Sequence, residues 1–107
     1  FYLLIIFSKA MRPNPKKNLL LINAIHEGSK KLMEVEKLIE KGADVNCIEF
    51  GLSPLTLAIE LGEYNICRYL ISKGAYVNMP DGEGILPIEA AKTAKSKRIL
   101  RYLEKAN

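Results

Sequence analysis

Gly51-Leu-Ser-Pro-Leu-Thr-Leu-Ala-Ile-Glu-Leu-Gly62 is the stretch that decides the fold. Ser53-Pro54 reads as a helix start: a hydroxyl that can accept from free N–H groups, then a proline at the first helical position, where a missing N–H costs nothing. The helix is predicted to run to about Leu61 and to stop at Gly62. A second helix then begins near Glu63, with Ile66, Cys67, Leu70 and Ile71 at helical spacing on one face. Gly74 ends it, at the position where a left-handed backbone is usual. Ala75-Tyr-Val-Asn78 extends from there into a turn carrying Asp81-Gly82. The unit is helix, turn, helix, extended loop.

This unit recurs. Gly51, Pro54, Ala58, Ile66, Tyr69 and Leu70 return 33 residues later as Gly84, Pro87, Ala91, Ile99, Tyr102 and Leu103. Leu38-Ile39, Lys41-Gly-Ala43, Val45 and Asn46 return as Leu70-Ile71, Lys73-Gly-Ala75, Val77 and Asn78; Leu21, Ala24, Ile25 and Gly28 return as Leu55, Ala58, Ile59 and Gly62. The first unit carries two extra residues between Gly28 and Leu38. Three related units thus cover residues 18–107, at about 18–50, 51–83 and 84–107. One unit cannot bury its apolar face alone, and about three stacked units are the minimum for a stable array. The polar last helix, Ser96 to Lys105, suits an outward cap.

The chain resembles the ankyrin-repeat family. The resemblance is carried by Gly51 to Ala58, Gly62, Ile66 to Leu70, Lys73-Gly-Ala-Tyr-Val-Asn78 and Asp81, and more closely still by Lys41-Gly-Ala-Asp-Val-Asn46. It implies an all-α, helix-turn-helix solenoid of three stacked repeats with extended, hairpin-like loops. The family's Thr-Pro-Leu-His is Ser53-Pro-Leu-Thr56 in the second unit and Leu86-Pro-Ile-Glu89 in the third. The first has Leu19-Leu-Leu-Ile22 there and is read as starting at Asn18. The histidine is missing throughout, and with it the side-chain hydrogen bonds it makes in the family.

Residues 1–17 stand apart. The run Phe1 to Phe7 is apolar but too short to span a membrane, which takes about 20 residues. Three readings compete: the tail of a signal peptide, with Ser8 and Ala10 at the −3 and −1 positions of a cleavage site; an extension upstream of an initiating Met11; or a strip that packs on the first helices. Pro13, Pro15 and three basic residues make residues 12–17 a linker. Two cysteines, Cys47 and Cys67, are too few for a disulfide scaffold, and reduced thiols fit a cytoplasmic protein. Secretion follows only from the signal-peptide reading.

Of 107 residues, 49% are hydrophobic and 26% charged, a globular composition. The net charge of +4 divides unevenly: +4 over residues 1–17, −2 over 18–80 and +2 over 81–107, so no continuous basic groove is expected. No catalytic constellation, cofactor motif or metal site is expected, and no small-molecule substrate. His26 is the single histidine and reads as a helix-surface residue; Cys47 and Cys67 read as small core residues. Asp81-Gly-Glu-Gly84 lacks the spacing of a calcium loop, and no Gly-Lys-Ser/Thr follows the glycines. The basic last helix (Lys95, Lys97, Arg98, Arg101, Lys105) reads as a solvated cap, because Glu89 and Glu104 interrupt it and no aromatic platform accompanies it.

What remains is surface. The resemblance implies a non-catalytic protein-binding module that uses its loop tips and the concave face of each unit's first helix. Carried over by position, the tips are Ile48, Phe50 and Leu52, then Pro80, Glu83 and Ile85; the inner helices present His26, Glu27, Glu60, Leu61, Thr93 and Ala94. Phe50, Ile85 and Leu61 are the expected apolar anchors, and Glu60 and Glu83 the source of charge selectivity. Two rival readings are attachment to nucleic acid or an anionic membrane through residues 9–17 and the last helix, and a piece of a larger protein whose activity lies elsewhere.

Overall fold

A computed structural model describes residues 15–106. The readings of Phe1 to Ala10 and of Met11 lie outside the described residues. Three helix pairs follow one another: α1 (Pro15–Glu27) and α2 (Leu32–Glu40), α3 (Pro54–Glu60) and α4 (Tyr64–Ser72), α5 (Pro87–Thr93) and α6 (Lys97–Ala106). The first helices pack side by side as an inner layer, α1 on α3 on α5, and the second helices form the outer layer, α2 on α4 on α6. No strand occurs among the described residues; one antiparallel bridge joins Glu49 and Leu52.

The middle helix explains the run that opens the sequence argument. Pro54 to Ile59 are all buried, because α3 lies between α1, α5 and its own partner α4. A helix packed on three neighbours has little polar face, and this one exposes a charged side chain only at its last residue, Glu60. Leu21, Ile25, Val35, Ile59, Ile66, Leu70 and Ile99 complete the buried spine.

The missing histidine has substitutes. Thr56 N–H donates to Ser53 Oγ at 3.3 Å, the Thr56 hydroxyl donates to the Ser53 carbonyl at 3.4 Å, and the two hydroxyls lie 2.6 Å apart. In the third unit Glu89 Oε1 accepts from the Leu86 N–H at 3.0 Å, covering a free donor from the helix's third position.

The first unit departs most from expectation. Its helix already includes Pro15 to Lys17, read above as linker. The longer helix carries buried Asn18, whose Oδ1 accepts from the Asp44 N–H at 2.8 Å. Asn46 does the same one unit on, accepting from the Tyr76 N–H at 3.0 Å and donating to the Gly74 carbonyl at 3.0 Å. A helical asparagine thus takes the part a loop asparagine plays elsewhere. The two extra residues before Leu38 are absorbed in a 3-10 turn, Ser29–Lys31. Its first N–H and the Ser29 hydroxyl both donate to the Glu63 carboxylate of the next unit.

Candidate partner-binding surface

Two projecting loops and the ends of the inner helices meet on one side. The first loop leaves the core at buried Cys47, and closes as a two-residue hairpin in which Glu49 and Leu52 exchange both N–H···O bonds at 2.9 Å. Its central residues, Phe50 and Gly51, have φ of 55° and 78°. Positive φ at both positions matches the twist of the flanking chains, and the pair that usually supplies it is Asn-Gly or Asp-Gly. Phenylalanine there is an outlier, since its Cβ crowds the carbonyl in the left-handed region. Phe50 gains nothing in burial from this: it is 87% exposed.

Buried Asp81 builds the second loop. Its Oδ1 accepts from the N–H groups of Glu83 at 2.9 Å and Ile85 at 3.0 Å, while its own N–H donates to the Ile85 carbonyl at 2.9 Å. The loops are locked together. Gly82 N–H donates to the Gly51 carbonyl at 3.0 Å, and a Cβ on Gly82 would stand 2.5 Å from Gly51 Cα. Only glycine permits that approach.

Behind the tips lies a hollow of about 230 Å³, lined by Glu60, Ile85, Ala90, Thr93 and Ala94. Partial burial pushes the Glu60 carboxyl above its usual range, and the neighbouring Asp81 and Glu83 push it the same way. Glu60 thus stands beside an apolar hollow within reach of two like charges, which is an arrangement that favours a cation.

The structure separates the expected residues. Ile48, Phe50, Glu60, Leu61, Pro80 and Glu83 are exposed; the Gly82–Gly51 bond joins the two loops, and Glu60 at the α3 end is close enough to Asp81 and Glu83 to feel their charge. Leu52 and Ile85 are less exposed than their tip positions imply: both are half-buried and pack on the core, though Ile85 still lines the hollow. Leu52 is paired to Glu49 just before the buried Ser53, and Ile85 is tied to Asp81 by two bonds, one backbone and one side-chain. His26 and Glu27 are exposed at the end of α1 and do not line the hollow. Asp81, Gly82 and Ala90 were missed. Asp81-Gly82 was legible as a turn, but its contact with Gly51 depends on the stacking of two units.

The thiols are poor nucleophiles. Burial pushes Cys47 up to about 12, with Asp44 and Glu49 adding to it, and pushes Cys67 up to about 12, with Glu63 adding. Both are free. Among the described residues no group of three His, Cys, Asp or Glu side chains is placed to hold a metal, and no helix is long and apolar enough to cross a membrane.

Comparisons with known proteins agree on the repeat. The family model described as ankyrin repeats, in three copies, matches residues 1–81. The 2-5A-dependent ribonuclease of Mus musculus is 36% identical over 69 residues, covering 63% of this chain and 9% of that protein. Ankyrin repeat domain-containing protein 17 of Mus musculus is 40% identical over 53 residues, covering 47% of this chain and 2% of that protein. The chain therefore spans a small fraction of the curated relatives it matches.

Proposed function

The chain belongs to the ankyrin-repeat family, whose repeats are generally non-catalytic protein–protein interaction modules, and from that premise we propose that it binds a partner protein through its two loop tips and the adjoining hollow. The observation that carries this reading is Phe50, a large apolar side chain left 87% exposed on a backbone conformation that disfavours it. Strain kept at an exposed position, with no burial in return, is the pattern expected of a binding residue. Ile48 and Leu61, 47% and 41% exposed, add apolar surface, and the exposed carboxylates of Glu60 and Glu83 favour a lysine or arginine beside the partner's apolar residue. Interlocked loops lose little conformational freedom on binding.

The test is affinity capture with the whole chain and with an Ile48→Ser/Phe50→Asn variant of matched helicity. A protein retained by the first bait and lost by the second supports the surface. Equal capture by both baits moves binding away from the tips.

A further inference from the structure

On the opposite, outer layer two hollows adjoin. One, of about 320 Å³, is lined by Leu32, Asn65, Arg68, Tyr69, Ser72 and Tyr102. The other, of about 200 Å³, is lined by Tyr64, Arg98, Arg101, Tyr102 and Lys105. Tyr102 belongs to both and forms the wall between them. Four cations line the pair, and no carboxylate does. Glu36 and Glu40 act on the Tyr69 hydroxyl from α2, but neither lines a hollow.

The cations are organised around aromatic rings. The Arg98 guanidinium lies 3.7 Å over the centre of the Tyr64 ring and that of Arg68 lies 5.7 Å from it, so Tyr64 orients both. The Tyr102 ring meets Tyr64 edge-on, with centres 5.9 Å apart and planes at 81°. The first hollow adds neutral polar groups from Asn65 and Ser72, and the Tyr69 hydroxyl is buried without a hydrogen-bond partner. By sequence alone the basic last helix reads as a solvated cap, with nucleic acid only a rival, because no aromatic platform accompanies it. The fold supplies one, bringing Tyr64 from α4 against Tyr102 on α6.

An acidic peptide would satisfy the cations, and its backbone the neutral polar groups, but its carboxylate side chains would leave the Tyr102 ring without a planar partner. A flat anionic membrane would not enter the hollows. A single nucleic-acid strand matches both halves, because it carries phosphates together with planar bases whose edges donate and accept. We propose that the outer face of α4 and α6 binds single-stranded nucleic acid, with phosphates at Arg68, Arg98, Arg101 and Lys105 and a base against Tyr102. This surface is distinct from the loop tips.

The experiment is fluorescence anisotropy of a labelled, mixed-sequence RNA oligonucleotide with the whole chain over a range of salt. Four phosphate contacts on a single strand predict a log–log slope of about −2.8, or an affinity loss of about fiftyfold between about 50 and 200 mM salt. Arg101→Glu with Lys105→Glu, both exposed positions, should weaken binding at least about tenfold and roughly halve the slope. Lys92→Glu with Lys95→Glu, outside both hollows, should change affinity far less. Tyr102→Leu should cost about tenfold with the slope kept, since it removes stacking and no charge. Four results would each overturn the proposal: no oligonucleotide binding, binding untouched by the Arg101/Lys105 reversal, a folded Tyr102→Leu variant with unchanged affinity, or stronger binding to phosphatidylserine vesicles or an acidic peptide than to RNA.

Discussion

Replacing Phe50 by asparagine should make the protein more stable while it weakens partner binding. The side chain is 87% exposed, so only the remaining 13% of about 200 Å² is removed from water, and losing it costs about 0.7 kcal/mol at about 25 cal/mol per Å². Against that stands relief of the φ of 55°, which costs an ordinary L-residue about 1–2 kcal/mol and asparagine much less. The net gain is about 0.5–1 kcal/mol, which in a chain of this size raises Tm by about 2–6 °C. Thermal and urea unfolding followed by circular dichroism would measure it, with Phe50→Ala as the comparison that removes the ring but keeps a Cβ at positive φ. A loss of more than about 1 kcal/mol for the asparagine variant would refute the reasoning, since it would mean that contacts to the ring hold the loop.

Four further outcomes follow from the same geometry. Gly82→Ala should cost about 1–3 kcal/mol in urea unfolding, because its Cβ would stand 2.5 Å from Gly51 Cα, and it should weaken partner binding without touching any exposed side chain. Lys95 has φ of 57° where the first two units place Gly28 and Gly62, so Lys95→Gly should raise stability by about 0.5–1 kcal/mol in the same assay. Asn46→Ala removes the bonds to Gly74 and Tyr76 and should cost about 1–3 kcal/mol, with a broader urea transition as the first two units uncouple. The raised Glu60 carboxyl takes up a proton in the folded state before the unfolded chain does. The Glu60 contribution to stability should therefore rise as pH falls toward the ordinary value of 4.5, and Glu60→Gln should flatten that rise in urea midpoints measured on the acid side of neutrality.

Much of the fold was legible because its signals are local. Ser53-Pro54, Gly62 and Gly74 mark the bounds of α3 and α4 through capping and backbone rules that act within a turn, and the observed helices keep to them. The early part of α1 was not legible. The two prolines and the lysines of residues 12–17 read as linker by composition, whereas Pro15 to Lys17 are helical and Asn18 lends this stretch a tertiary bond to Asp44. At the tips, exposure of Ile48 and Phe50 followed from their positions in the loop. The inward turn of Leu52 and Ile85 did not, because hairpin pairing and the Asp81 carboxylate decide it. The contacts between units were furthest from reach. Gly82 against Gly51, Glu63 on Ser29 and Tyr64 against Tyr102 join residues 31 to 38 apart, and no local rule relates them.

The central claim is that the loop tips and the adjoining hollow are the partner-binding surface. Amide hydrogen exchange of the chain, alone and saturated with the partner that the affinity experiment retains, tests it most directly. New protection is expected at residues 48–52, 60–62 and 81–85, with unchanged exchange in α2 and the exposed face of α6. Protection confined to α2 or α6, with the tips exchanging as in the free chain, would contradict it.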